Sequence, residues 1–139
     1  MKKTPYLYIK SAVCTVWFRL HGFRTSLVAC DGRLPSLAGG GNIQIGKRFV
    51  VRGRVAPCEL TAEGDSQLII GDRVFLNQGV VITAKESIEI GDDTLIGDFS
   101  AIYDSNFHQL DPGHPNKPRP VTIGKNVWLG NGVLVFGNR

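Results

Sequence analysis

This chain of 139 residues has no long apolar run, one methionine and only three cysteines. No apolar run reaches the roughly 18 residues of a membrane-spanning helix, which argues against a membrane span. A single methionine fits poorly with a helical bundle. The three cysteines are odd in number and lack the spacing of metal ligands, so neither a disulfide framework nor a zinc site is supported. Reduced, packed thiols are typical of the cytoplasm, and we expect the protein there.

The composition is that of one folded domain with an unevenly placed charge. Apolar residues make up 42% of the chain, and the 17 glycines are an unusually large number. Residues 1–42 hold six basic residues against one acidic residue, a net charge of +5, whereas residues 43–139 have a net charge of −1. No nucleic-acid recognition motif accompanies the basic segment, so we expect no nucleic-acid partner.

The basic segment, residues 1–42, is predicted to be partly helical. Its apolar side chains recur at the spacing of a helix face. We expect this face to pack on the rest of the domain or on a neighbouring subunit. Weak attachment to a membrane surface is the alternative for the same residues. The residues of the face are Tyr6, Tyr8, Ile9, Val13, Val16, Trp17 and Leu20.

From residue 43 onward the sequence repeats. An Ile-Gly pair opens four similar segments, and another aliphatic residue follows each isoleucine after six positions. A period of six fits neither an α-helix nor simple strand alternation. It is typical of short strands joined by corners, with one aliphatic side chain per step pointing inward. The four pairs are Ile45-Gly46, Ile70-Gly71, Ile90-Gly91 and Ile123-Gly124.

Three such steps make a triangular coil of about 18 residues, and stacked coils form a solenoid with a continuous apolar core. The sequence therefore predicts an all-β solenoid over residues 43–139. One interval between Ile-Gly pairs is much longer than the others and indicates a loop insertion at residues 103–122, rich in proline and carrying two histidines. Long excursions from a regular solenoid often carry function.

These hexads resemble the repeat of the hexapeptide-repeat acyltransferases, most closely the maltose, galactoside and polysaccharide O-acetyltransferases. Three stretches carry the resemblance: Phe75-Leu76-Asn77, Ser105-Asn106-Phe107-His108, and the run from Ile123 to Gly130. The resemblance implies a left-handed parallel β-helix and acetyl-CoA as cosubstrate. It further implies a hydroxylated small-molecule acceptor, such as a sugar or polysaccharide unit, and a homotrimer with sites between subunits. An acidic or lipid-linked saccharide, or a membrane surface, would suit the charge of residues 1–42.

The resemblance also assigns roles in the insertion and beside it. His108 is the candidate general base, since a neutral imidazole can take a proton from an attacking hydroxyl near pH 7. Asn77 is expected to hold the acceptor or to orient the histidine. Asp104 is a second candidate for substrate binding, through orientation of the imidazole. Its alternative role is to cap the turn with Ser105 and Asn106.

Trp128, Gly130 and Asn131 form the candidate cofactor-binding group. The resemblance places Trp128 beside the CoA arm, and the alternative is ordinary core packing. The amides of Gly130 and Asn131 could bind the thioester oxygen or the pantetheine arm. We expect no metal, because the zinc enzymes of this fold need three histidines from facing surfaces.

One departure from the family pattern affects the functional interpretation. Relatives normally continue beyond the tryptophan-bearing coil, whereas this sequence ends at Arg139 in mid-coil, as a truncated chain would. An O-acetyltransferase with His108 as its base is therefore one hypothesis. A catalytically inactive truncated paralogue or scaffold subunit is the other. A serine acetyltransferase fits less well, because its helical N-terminal domain is larger than residues 1–42 allow.

Overall fold

The computed structural model describes residues 5–106, 112–113 and 117–137. Helix α1 spans Pro5–Leu20, and short strands follow it. The described strands are β1 Phe23–Thr25, β2 Val28–Gly32, β3 Ser36–Ala38, β4 Asn42–Ile45, β5 Phe49–Gly53, β6 Glu59–Ala62, β7 Gln67–Ile70, β8 Phe75–Leu76, β9 Val81–Ala84, β10 Ser87–Ile90, β11 Leu95–Ile96, β12 Ala101–Tyr103, β13 Val121–Ile123, β14 Trp128–Leu129 and β15 Leu134–Phe136.

Every third strand joins the same sheet, so the described strands form three parallel sheets of five strands each. Sheet 1 has the order β1-β4-β7-β10-β13, sheet 2 the order β2-β5-β8-β11-β14, and sheet 3 the order β3-β6-β9-β12-β15. Each successive set of three strands makes one coil, and five coils stack. This architecture is a β-solenoid that matches a left-handed β-helix, which confirms the predicted fold class.

The core consists of columns of aliphatic side chains that the strand register holds in line. In sheet 1, Ile43 pairs with Leu68, and Leu68 pairs with Ile88. All three side chains are buried, with no more than 1% exposed. Stacked strands lie about 4.8 Å apart, so each inward side chain contacts those above and below it. A single coil could not bury these residues alone, and stability therefore comes from stacking.

The corner between sheets 1 and 2 explains the Ile-Gly pairs. A Cβ atom on Gly91 would lie 2.6 Å from the carbonyl carbon of Gly124 in the next coil, so only glycine fits this close approach. Two positions later the backbone turns through positive φ, at 59° for Asp93 and 54° for Asn126. Asp and Asn tolerate that region better than most residues.

The first coil corrects the predicted start of the solenoid at residue 43. Strands β1, β2 and β3 pair in parallel with β4, β5 and β6, so residues 23–38 already form a complete coil. This coil contains no Ile-Gly pair, and Phe23, Val28 and Leu37 fill its core positions instead. The hexad pattern therefore missed it. At the other end, residues 104–120 separate β12 from β13, close to the predicted insertion 103–122.

Helix α1 confirms the predicted helix, but the predicted apolar face does not pack on the solenoid of the same chain. The side chains buried against the first coils are Cys14, Thr15 and Phe18. The ring of Phe18 lies 5.3 Å from that of Phe23 and 6.0 Å from that of Phe49, so the helix covers the N-terminal end of the core. Of the predicted face only Trp17 is partly buried, and its Nε1 donates to the Pro35 carbonyl at 3.0 Å.

Replacement of one inward aliphatic residue tests the core columns. Ile82 is fully buried in the middle coil. We expect Ile82→Ala to lower the free energy of unfolding by about 2–5 kcal/mol, because the cavity removes contacts to both neighbouring coils. Urea unfolding followed by circular dichroism measures it. Val55→Ala, at a side chain 66% exposed, is the matched control and should change stability by less than about 0.5 kcal/mol.

Candidate functional site

The predicted site residues divide between two edges of the three-sided solenoid. The Asn77 edge, between sheets 2 and 3, comprises the turns 77–80, 97–100 and 130–133. The insertion edge, between sheets 3 and 1, comprises the turns 63–66 and 85–86 and the segment 104–120. Asn77, Gly130 and Asn131 lie on the first edge, with Trp128 on the strand that leads into it. Asp104 lies on the second edge. Within one chain, the structure does not bring the two groups together.

Asn77 is half-buried and anchored to its own edge. Its backbone N–H donates to the carbonyl of Ile96 at 2.9 Å, and its side-chain Oδ1 accepts from the N–H of Gln78 at 3.0 Å. Beneath it, the Cys58 thiol donates to the Asn77 carbonyl at 3.1 Å. Burial raises the pKa of Cys58 to about 11, so this thiol stays protonated and is no nucleophile near pH 7. The predicted acceptor contact of Asn77 stays a prediction.

Trp128 lies on the outer face of sheet 2, where β14 pairs with β11 and places Leu95 opposite it. Its side chain is 79% exposed, which excludes ordinary core packing within this chain. Leu95, 46% exposed, extends the same outer surface. An exposed indole beside an apolar neighbour offers a flat surface to a ligand or to another subunit.

Gly130 and Asn131 occupy a turn that a buried serine fixes. The Ser100 hydroxyl donates to the carbonyl of Gly130 at 2.8 Å and accepts from the N–H of Val133 at 3.1 Å. Nothing lies within 4 Å of the position that a Cβ on Gly130 would take. The sequence analysis missed Ser100, although a polar residue at a core position of a hexad was the available signal. Ligand binding by Gly130 and Asn131 stays a prediction.

Asp104 is a completely buried carboxylate at the base of the insertion. Its Oδ1 accepts from the N–H of Lys85 at 2.8 Å, and its Oδ2 accepts from the N–H of Glu86 at 2.7 Å and of Ser87 at 2.8 Å. Asp104 therefore caps a turn, as its alternative role predicts. The capped turn is that of residues 85–87 in the third coil, however, and not the turn of Ser105 and Asn106. Orientation of the histidine by Asp104 stays a prediction.

In the fourth coil the insertion replaces the short turn that leads from sheet 3 to sheet 1. This replacement explains why a carboxylate is present at residue 104. In the coils before, backbone carbonyls accept these bonds, as the Glu63 N–H donates to the Ala84 carbonyl at 2.9 Å. The fourth coil has the insertion instead of that turn. The Asp104 side chain supplies acceptors in its place, while the Asp104 carbonyl accepts from the N–H of Arg119 at 2.7 Å and closes the base of the loop.

The candidate base, His108, lies outside the described residues, as do Phe107 and His114. Its predicted role is therefore untested by the structure. Within the part of the chain that is described, no group of three or more metal-ligating side chains is present.

Substitution of Asp104 separates a structural role from a chemical one. We expect Asp104→Ala to lower the free energy of unfolding by about 1–3 kcal/mol, since the three N–H groups of this turn lose their acceptor. Asp104→Asn keeps one acceptor oxygen and should show a smaller loss. Asp65→Ala, at an exposed residue of the same edge, is the control. Unchanged stability of Asp104→Ala in urea would contradict the turn-cap role.

Comparisons with known proteins add an independent line of support. The chain is 36% identical over 108 residues to the "Putative lipopolysaccharide biosynthesis O-acetyl transferase WbbJ" of Escherichia coli, covering 69% of this chain and 54% of that protein. It is 34% identical over 77 residues to "Nodulation protein L" of Rhizobium meliloti, covering 48% and 38%, and 35% identical over 77 residues to "Probable acetyltransferase Rv3034c" of Mycobacterium tuberculosis, covering 52% and 26%.

No protein-family profile and no solved structure matches the chain. The chain spans about half or less of the length of these curated relatives, from 26% to 54%. The hexads, the three-sided solenoid and these similarities together show that the chain is related to the acetyltransferases of the hexapeptide-repeat type.

Proposed function

We propose that the chain is a CoA-dependent O-acetyltransferase that moves an acetyl group from acetyl-CoA to a hydroxyl of a sugar or polysaccharide unit. The named acetyltransferase relatives support the group transferred. The observation that carries the proposal on the structural side is the exposed Trp128 beside the Gly130 turn, because it leaves an aromatic surface without a packing role in this chain. The buried, unpaired thiols favour a cytoplasmic location, where acetyl-CoA would be available.

His108 acts as general base in this proposal. The imidazole takes the proton from the acceptor hydroxyl as its oxygen attacks the carbonyl carbon of the thioester. The carbon–sulfur bond then breaks, and the imidazolium returns the proton to the departing sulfur, which gives an ester and free CoA. A histidine suits both steps, because its ordinary pKa lies near the working pH.

The Asn77 edge supplies binding groups in the proposal. Trp128 packs against the CoA arm with the half-exposed Leu95 beside it. Asn131 is exposed one residue after Gly130 and offers its amide to the pantetheine arm. The buried Ser100 hydroxyl supports this role, since its bond to the Gly130 carbonyl holds the turn in one conformation. Asn77 holds the acceptor or orients His108.

A site shared between copies of the chain would unite the two groups of residues. Within one chain the Asn77 edge and the insertion edge are different edges of the solenoid, so His108 on the insertion meets the Trp128 surface most simply on a neighbouring subunit. We therefore propose a homotrimer with three such shared sites. A closed three-fold ring satisfies this arrangement, because each copy then gives one edge and receives another.

Replacement of His108 tests the reaction. We expect His108→Ala to lower the rate of CoA release from acetyl-CoA, in the presence of a saccharide panel, by about 10²–10⁴-fold, since the proton acceptor is lost. His114→Ala is the matched control, as the other histidine of the same insertion, and should keep most of the activity. Equal rates for the parent chain and His108→Ala would reject the assignment of the base.

Replacement of Trp128 tests cosubstrate binding separately. We expect Trp128→Ala to weaken CoA binding in calorimetry by about 10-fold or more, because a large aromatic contact is removed. Trp128→Phe should restore part of the affinity, and Leu20→Ala, at the exposed end of helix α1, should not change it. If the folded parent chain binds no CoA, the alternative of a catalytically inactive paralogue or scaffold subunit takes the place of the enzyme.

A further inference from the structure

Helix α1 presents an apolar face to solvent on the side opposite the solenoid. Its buried side holds Cys14, Thr15 and Phe18, as described above. The large apolar residues of the outer side are between 53% and 77% exposed. Contiguous apolar patches of this kind are rare on free protein surfaces and indicate a contact with another surface. They are Ile9 66%, Val13 53%, Val16 55% and Leu20 77%, and at the start of the helix Tyr6 67% and Tyr8 56%, which also line a cavity against sheet 2.

The charged residues close to this face are mostly basic. The first 30 residues of the sequence contain five basic residues and no acidic residue, whereas residues 31–139 contain 11 basic and 12 acidic residues. Lys10 and Arg19 lie on the helix itself, and exposed Arg24 follows in β1. An apolar helix face with basic residues around it is the pattern of helices that lie in the interface of an anionic membrane.

The dimensions and contacts of the helix fit a position in the plane of the membrane. Its 16 residues measure about 24 Å along the axis, less than the ~30 Å hydrocarbon core of a bilayer. No helix in the described part of the chain is long and apolar enough to cross a membrane. The inner side is also fixed to the first coil, where the Val28 N–H donates to the Thr15 hydroxyl at 2.9 Å.

A cavity of about 540 Å³ lies between the start of this helix and the outer face of sheet 2. Tyr6 and Tyr8 line it together with Arg52 and Arg54. Both arginines contact the single carboxylate of Asp31, at 3.3 and 2.9 Å, so the group keeps a net positive charge. The cavity therefore places apolar rings and a cationic group side by side. This arrangement is complementary to a phospholipid, which has apolar chains and an anionic headgroup.

We propose that the outer face of α1 binds the surface of an anionic phospholipid bilayer, with the helix parallel to the membrane plane. A second copy of the chain fits this face less well. A symmetric pairing of two α1 helices would bring basic side chains together, and the helix has no carboxylate to neutralise them. The charge thus favours an anionic lipid surface as the occupant. The proposal goes beyond the proposed transferase function and does not depend on it.

Vesicle flotation of the full chain tests the proposal. The parent chain is mixed with vesicles of phosphatidylcholine alone or of phosphatidylcholine with phosphatidylglycerol, at about 0.1 M and about 1 M salt. We expect flotation with the anionic vesicles at low salt and roughly tenfold less with the neutral ones. The double variant Ile9→Glu, Val16→Glu should lose at least about tenfold in bound fraction, because both side chains are exposed and no longer enter the interface.

Two control variants separate the contributions of the face and the charge. Leu134→Glu adds a carboxylate at an exposed residue of the fifth coil, far from the helix and from the cavity, and should float like the parent chain. The pair Lys10→Gln, Arg24→Gln leaves the apolar face intact and should reduce the preference for anionic vesicles. Circular dichroism and sedimentation velocity establish that each variant is folded and report its oligomeric state.

Three results would overturn the proposal. The first is failure of the folded parent chain to float with anionic vesicles at low salt. The second is equal flotation of the parent chain and the Ile9→Glu, Val16→Glu variant. The third is a parent chain that forms an oligomer and binds no vesicles, while the Ile9→Glu, Val16→Glu variant is monomeric. In that case the face is a contact between copies of the chain.

Discussion

The register between successive coils is the constraint on which the rest of this structure depends. Each strand is short, and strands of two to five residues have little stability of their own. Parallel pairing aligns every inward side chain with its counterpart in the next coil, so one error of register would turn an apolar column outward. The glycine corners protect that register, because a side chain at Gly91 would collide with the backbone of the next coil.

The coil that adjoins the insertion departs from the aliphatic rule, and its polar residues have a common purpose. Thr94 and Ser100 are fully buried at core positions, and their hydroxyls donate to the carbonyls of Gly124 and Gly130 at 2.9 and 2.8 Å. These bonds join the fourth coil to the fifth across the chain separation that the insertion creates. They hold the fifth coil in place by specific polar contacts, whereas the Asp104 carboxylate bonds the turn of the third coil. The Thr94 and Ser100 hydroxyls are both hydrogen-bonded, so the cost of burying them is offset.

The sequence predicts those features of the structure that come from a repeated pattern. It does not predict features that depend on one contact between residues far apart in the chain. The Ile-Gly pairs recur, and they correctly predicted the solenoid. The first coil lacks the pair, so nothing periodic distinguished Phe23, Val28 and Leu37 from the N-terminal segment. The helix was predictable, but its packed face was not, because α1 is apolar on nearly every side and a period of 3.6 residues then selects no direction.

The same distinction applies to the candidate site. Similarity to a motif can propose His108 or Trp128, but it cannot show that Asp104 replaces the carbonyls of an absent turn, since that contact joins residues 17 to 19 positions apart. Nor could the sequence place the predicted residues on two different edges. That separation becomes clear only when the structure assigns each turn to its coil and to its edge of the solenoid.

The two ends of the solenoid are physically distinct, and this bears on how the proposals relate. Helix α1 covers the first coil, whereas Trp128 lies on the fifth, four strand spacings or roughly 19 Å away along the axis. Changes on the exposed face of α1 are therefore too distant to alter the surface around Trp128 by direct contact, and distant sites usually act independently. A membrane held at the first coil would leave the Asn77 edge and the insertion edge accessible along the sides of the solenoid. If the proposed acceptor carried a lipid, it would lie in the same membrane that binds α1. The basic N-terminal segment would then help to bring the chain and the acceptor together.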